Sequence, residues 1–330
     1  MSSPVFDLPG HSDILDAAQR LAGHAVRTPL LRNDGLDDQL GARIFVKAEC
    51  LQRTGSFKFR GAYNRISRLN AEEKQRGVIA YSSGNHAQGV AAAARLVGTH
   101  ATILMPTDAP AAKVEGVRFW GGKVVTYDRA SESREEIGAR IAAEEGRILV
   151  PPYEDRFIIA GQGTAGLELV EQFAELGLTP DIVSAPAGGG GLIAGTGLAV
   201  KHAHPDAQIW AAEPAEFDDH RRSLEAGKRV ANARLTGSIC DAIITPTPGE
   251  LTWQLNARQL SGGVAVSDEE ALDAMAFAWR HFKIVIEPGA VVALAAVLSG
   301  KLDVAGKTVC VLATGGNVDR AVFARALERN

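Results

Sequence analysis

No apolar run in this chain exceeds nine residues (Ala290 to Leu298), about half of what a membrane-spanning helix needs. Basic residues are not in excess. Thirty-five Lys and Arg stand against 39 Asp and Glu, a formal net charge of −4, so no positive field draws in nucleic acid or an anionic membrane. Cysteine is scarce: Cys50, Cys240 and Cys310 are widely spaced and odd in number, which argues for a reducing compartment and against a metal cluster. The opening stretch MSSPVFDLPGHSD has neither a basic n-region nor an apolar h-region, so no secretory leader is expected. Repeats, low-complexity tracts and runs of five like charges are also missing. What is present is an ordinary globular composition, 46% apolar and 22% charged, over 330 residues. At about 150 residues per domain that length suggests two domains. A cytoplasmic enzyme is expected.

Short β-branched runs alternate with Ala-rich helical stretches. Strands are expected at 43–47, 78–81, 101–105, 123–127, 181–185, 208–213 and 308–313. Helices are expected at 86–97, 111–119, 134–145, 192–202, 268–281 and 318–329. Such alternation implies a parallel α/β architecture with ligands at the C-terminal ends of strands. Three strand–helix units fit between Gly77 and about Arg147, enough for a small unit (77–148) inserted in a larger one (1–76 with 149–330). Pro151-Pro152 would mark the return crossing.

Four segments carry candidate chemistry. Thr54-Gly55-Ser56-Phe57-Lys58-Phe59-Arg60-Gly61-Ala62 places Lys58 at a helix start, where the helix dipole disfavours the charged amine, as a Schiff-base lysine requires. Taken alone, Lys58 reads as a surface lysine. Ser82-Ser83-Gly84-Asn85-His86 puts hydroxyls, a glycine and helix N-terminal N–H groups together as a carboxylate cradle, or as a plain N-cap. Gly188-Gly189-Gly190-Gly191-Leu192 exposes consecutive N–H groups to one anion, and each glycine costs roughly 1 kcal/mol of entropy, so the run needs a reason. Thr314-Gly315-Gly316-Asn317 sets a hydroxyl at a strand end. The glycine run also satisfies G-x-G-x-x-A, with Glu213 about 20 residues on, so a nicotinamide or flavin oxidoreductase is an alternative.

In this order the four segments resemble the fold-type II pyridoxal-phosphate enzymes, in the branch of serine/threonine dehydratases, serine racemases and 3-hydroxyaspartate dehydratases. Met105-Pro106 with Lys113, Gly121-Gly122 and Ala160-Gly161-Gln162-Gly163-Thr164 extend the likeness over nearly the whole chain. The resemblance implies that Lys58 bonds the cofactor and that Phe57 flanks its ring. Asn85 would bond the ring's 3′-oxygen, and Thr314 would face the pyridine nitrogen. Gly188, Gly189, Gly190 and Gly191, followed by Leu192, would hold the phosphate. Ser82, Ser83 and His86 would bind the substrate carboxylate. Ser83 would also supply a proton opposite Lys58, which makes serine or aspartate racemisation a second possible activity. A neutral hydroxyl at the pyridine nitrogen makes a weaker electron sink than aspartate would, which favours prompt loss of a β-substituent. The implied reaction removes water from L-serine, L-threonine or 3-hydroxyaspartate, giving a 2-oxo acid and ammonia.

Two further features belong to the resemblance. Glu213 and Asp219, with the Phe217 carbonyl, match a divalent-cation site of racemase-like members, and oxygen ligands suit Mg²⁺, Mn²⁺ or Ca²⁺. On its own the stretch is an acidic helix start. Arg134, after Tyr127-Asp128-Arg129, matches an arginine that reaches substrate carboxylate, so a diacid is expected to be preferred. A homodimer is expected, and a C-terminal regulatory domain is not.

Overall fold

The computed structural model describes residues 7–82, 84–109, 111–128 and 131–329, without the side chains of Arg134 and Glu135. Among the described residues ten strands form two sheets: β1 (Leu30–Arg32), β2 (Arg43–Lys47), β3 (Val78–Tyr81), β4 (Ala101–Pro106), β5 (Lys123–Tyr127), β6 (Ile148–Leu149), β7 (Ile182–Pro186), β8 (Gln208–Pro214), β9 (Gly262–Val266) and β10 (Thr308–Leu312). The larger sheet runs β1-β2-β10-β7-β8-β9, parallel except for the edge strand β1. The smaller, β5-β4-β3-β6, is wholly parallel and is built only from residues 78–149. Every residue of β7 and β10 is buried, as a parallel sheet covered on both faces demands. The expected α/β architecture of parallel-sheet cores with flanking helices is therefore present.

The apolar run noted above lies within the helix Pro288–Leu298, buried from Pro288 to Val297 in the core of the larger sheet. The expected helix at 268–281 ends its regular turns at Phe277. It then widens into a π-turn, Ala278–Phe282, closed by Lys283 at φ 59°.

The helix Arg156–Glu175 links the lysine and glycine segments. Asp155 caps it by accepting from the Phe157 and Ile158 N–H groups. Its glycines let two neighbours come close. A Cβ on Gly161 would lie 2.6 Å from the Arg60 carbonyl oxygen in the helix Lys58–Ile66, and one on Gly163 would lie 2.9 Å from the Gly195 oxygen in the helix Gly191–Ala203. Beneath the lysine helix lies a buried ion cluster. Arg60 donates to both oxygens of Glu49 (2.7 and 2.8 Å) and both of Glu168 (2.7 and 2.8 Å), while Lys47 donates to Glu168, Gln172 and the Thr28 carbonyl.

Candidate active site

Four strand ends converge on one cavity of ≈ 440 Å³. Chain leaving β2 makes the turn Glu49–Leu51 and then opens the helix Lys58–Ile66; chain leaving β10 makes the Thr314 turn. The two are stitched together, since the Phe57 N–H donates to the Thr314 carbonyl (3.1 Å) and Ser56 bridges Gly315. Lys58 is half-buried, donates from Nζ to the Pro152 carbonyl (3.0 Å) and sits 5.1 Å from the centre of the Phe57 ring. Burial pulls its ammonium down to about 8. The sequence argument expects a lowered amine for a different reason, the helix dipole.

Chain leaving β3 brings Ser82, Gly84, Asn85 and His86 to the cavity. The Ser82 hydroxyl accepts from the Gly84 N–H (3.3 Å), which shapes the turn into the helix Asn85–Val97. Ser83 lies outside the described residues, as does the Arg134 side chain; Arg134 itself opens the helix Arg134–Glu145. His86 is buried, and its Nε2–H donates to the Val150 carbonyl (2.8 Å). Burial, and then the Lys58 charge, push it down to about 3, so the ring is neutral. His86 lines the cavity, and its Nδ1 is buried without a partner among the described residues.

Asn85 accepts from Asn317 (2.7 Å), which also donates to the Thr54 carbonyl, and Asn85 donates in turn to Glu287. Glu287 is nine-tenths buried and lines the cavity; burial pushes its carboxyl up to about 7. Sequence reasoning missed Glu287. A signal existed, an acid just before Pro288-Gly289 at the head of the most apolar helix, where a charge needs a reason.

Chain leaving β7 supplies the glycines. A Cβ on Gly188 would lie 2.9 Å from the Ile243 oxygen, and one on Gly191 2.7 Å from the Gln162 Oε1. On Gly189 it would strike the Tyr153 ring, and Gly190 holds φ at 90°. Only glycine fits this run. Thr252 donates to the Gly189 carbonyl (2.6 Å) and Asn256 to that of Gly190 (3.2 Å), so the next N–H in each peptide points the opposite way. Among the described residues the N–H groups of Gly189, Gly190, Gly191 and Leu192 meet no protein acceptor. A row of unmatched donors at a helix N-terminus, with no side chain in the way, fits a phosphate dianion.

Glu213 is the penultimate residue of β8 and is fully buried. Its two oxygens accept from the His220 and Arg221 N–H groups (2.7 and 2.9 Å), capping the helix Asp219–Ala226. The ribose role that a dinucleotide enzyme would give Glu213 is therefore taken, and the oxidoreductase alternative loses its acidic ligand. Asp219 Oδ1 accepts from Asn232 (2.7 Å), while Oδ2 is buried without a partner among the described residues. Burial first, and Glu213 second, push Asp219 up to about 7. Phe217 is buried, with the Arg234 guanidinium 5.6 Å from its ring centre. The sequence reading also missed His220, which joins Glu213 and Asp219 in a set whose ligand atoms lie within 4.8 Å of one another. Two buried carboxylates, one oxygen unmatched, fit a divalent cation.

The chain is 42% identical to the L-threo-3-hydroxyaspartate ammonia-lyase of Pseudomonas sp, over 97% of this chain and 99% of that one. The solved threonine deaminase from T.th. superposes with a TM-score of 0.88 at 41% identity, covering 94% of this chain and 99% of that one. Maize serine racemase gives a TM-score of 0.90 at 37% identity and 97% coverage of both. The pyridoxal-phosphate dependent enzyme family matches residues 21–315, a span that takes in the lysine, the glycine run and Thr314, and the chain belongs to that family.

Proposed function

We propose that this protein removes water from a β-hydroxy-α-amino acid, 3-hydroxyaspartate foremost, releasing a 2-oxo acid and ammonia. The observation that carries this reading is Lys58: an amine lowered to about 8 by burial, held by a carbonyl and lining the same cavity as the glycine run. The relative at 42% identity, named for that reaction, supports the substrate class. Pyridoxal phosphate, when bound, supplies an electron sink that acidifies the substrate's Cα–H. Lys58 Nζ would take the Cα proton, and the β-hydroxyl would gain a proton and leave as water; hydrolysis of the released imine by water then gives the 2-oxo acid and ammonia. The N–H groups of Gly188 to Leu192 hold the phosphate, Phe57 flanks the ring, and Asn85 presents its amide to the ring oxygen. Thr314, at the end of β10, offers a neutral hydroxyl to the pyridine nitrogen. Ser82, His86 and the N-terminus of the helix Asn85–Val97 orient the α-carboxylate, and the resemblance adds Ser83 and Arg134 to substrate binding.

The working units of this reading are 77–148 as the small part and 1–76 with 149–330 as the large. No helix among the described residues is long and apolar enough to cross a membrane. Three unpaired, buried thiols (Cys50, Cys240 and Cys310), each pushed up to about 12, support a cytoplasmic location. Homodimeric assembly rests on the resemblance alone. The test is ammonia release from serine, threonine and the four stereoisomers of 3-hydroxyaspartate. The L-threo diacid should give the highest kcat/KM, and no ammonia from any of the six would end the proposal.

A divalent cation held by Glu213, Asp219 and the Phe217 carbonyl, with His220 adjacent, is part of the same proposal. It would offset the charge of the two buried carboxylates. Its place is behind the cradle, since a Cβ on Gly190 would lie 2.6 Å from His220 Nε2. Stripping with EDTA should lower the melting temperature, and Mg²⁺, Mn²⁺ or Ca²⁺ should restore it. At a hundredfold excess over Kd the ion adds about 2.7 kcal/mol. Asp219→Asn should abolish the response. A midpoint indifferent to every ion would leave the cluster as a bare acid–histidine contact.

A further inference from the structure

We propose that Asn317 is a positioning residue: it fixes which end of the Asn85 amide faces the cavity, so that an N–H, and not a carbonyl, meets the cofactor's ring oxygen. The inference rests on the cofactor reading above and names the residue that makes Asn85 fit for its part in it.

The two ends of an asparagine amide are nearly equal in shape, so packing alone does not choose between oxygen and nitrogen. The choice matters at this point of the cavity. A ring oxygen carrying negative charge is held by an N–H and repelled by a carbonyl.

A backbone group makes the choice here. The Thr54 carbonyl can only accept, so the Asn317 atom 2.8 Å from it is Nδ2. The same Nδ2 lies 2.7 Å from the Asn85 amide, which must then offer Oδ1. Asn85 Nδ2 is left to face Glu287, which accepts from one of its hydrogens. The second hydrogen meets no acceptor among the described residues, and Asn85 lines the cavity.

Glu287 does not set this sense by itself. Its carboxyl is pushed up to about 7 by burial, and once protonated it donates as readily as it accepts. Thr54 has a single role, and it is held in place. The residue is 3% exposed, and the next one, Gly55, takes φ 73°. The Gly55 carbonyl accepts from the Gly316 N–H (2.8 Å), which closes the loop after β2 on the turn after β10. A Cβ on Gly55 would lie 2.7 Å from Asn317 Oδ1, so the amide of Asn317 lies flat in that seam. The sense of the whole row thus starts at a fixed carbonyl and ends at the cavity wall.

The experiment loads wild type and variants with pyridoxal phosphate and follows the cofactor's visible absorption band, which marks the ionised ring oxygen, as pH is varied. In Asn317→Leu and in Asn317→Asp the pH at which the band is half lost should rise by about one unit or more, because the hydrogen bond to the charged form goes. Asn317→Asp is nearly isosteric and offers at most one O–H where two acceptors need a donor. Combined with Glu287→Gln, whose amide suits either sense, it should recover part of the melting temperature lost in the single variant, since the row can then run in reverse. The band should stay displaced, because Asn85 then turns its oxygen to the cavity. Recovery of band and melting temperature together would mean that Asn317 only braces two loops, and would overturn the proposal. An unchanged band in both single variants would do the same. If the wild type takes up no pyridoxal phosphate, the dehydratase reading fails by itself. Neutron diffraction from deuterium-exchanged wild-type crystals then decides the amide, as it also does where a variant fails to fold, and an Asn85 oxygen on the Glu287 side overturns the proposal.

Discussion

Lys58→Ala is expected to lower turnover by about 10⁴-fold or more while leaving the fold and the melting transition close to wild type, because under the proposed function one change removes both the cofactor's covalent partner and the general base. The side chain makes its hydrogen bond to a single carbonyl, that of Pro152, so its removal costs little structure. Borohydride treatment of the wild type should fix cofactor mass on the peptide containing Lys58, and the variant should show none. Finding that mass on another lysine would overturn the assignment. Lys47 is the informative contrast, since it is buried and engaged by Glu168, Gln172 and Thr28. With the Lys58 amine near 8 in the cofactor-free protein, its neutral share grows as pH rises from 7 to 9, and cofactor uptake should quicken over that interval.

Arg60→Met should cost about 3–5 kcal/mol of stability, read from the denaturant midpoint, the range for removing one partner of a buried ion pair. Arg60 is fully buried, and its guanidinium holds Glu49 and Glu168 in two forks, with Thr164 and the Val26 carbonyl on the remaining donors. Removing it leaves two carboxylates to share Lys47. Glu49→Gln in the same background should recover part of the loss, because the buried charge goes with it. Burial alone would raise Glu49; Arg60 and Lys47 outweigh it and hold the carboxyl below its ordinary value. The cluster's contribution is therefore present above the unfolded-state value of 4.5 and is lost as acid protonates Glu49 below it. A variant as stable as wild type would mean that apolar packing, and not charge pairing, holds the lysine helix in place.

Much of the frame was legible because short apolar strands and Ala-rich helices obey different periods. The expected segments 43–47, 78–81, 123–127, 111–119 and 134–145 coincide with observed elements. The twenty-residue helix Arg156–Glu175 was not read, for a physical reason. Gly161, Gly163 and Gly166 look like helix breakers, and only the neighbouring backbones show why they are there. Strand β9, Gly262–Val266, was hidden in the same way, since Gly262 and Gly263 are small to admit Trp210 and Arg221. Four site segments could be read because each joins unusual residues within a few positions. His220 could not, because its partner Glu213 lies seven residues away and nothing local distinguishes it; Glu287, whose partner Asn85 lies 202 residues away, was marked only by its charge at the head of an apolar helix. The cluster of Lys47, Glu49, Arg60 and Glu168 spans 121 residues, and its members look like ordinary surface charges in one dimension.

The glycine-faced helix Arg156–Glu175 touches the lysine helix at Gly161 and the cradle helix at Gly163, two positions apart on one rigid rod. The gap between Lys58 and the glycine run is therefore calibrated by atoms that belong to neither. A methyl group at position 163 would wedge the glycine run outward with every residue lining the cavity still in its native form. Spacing here works as a ruler, and a cofactor shorter or longer between its reactive carbon and its anionic end would be rejected on length before any side chain recognised it.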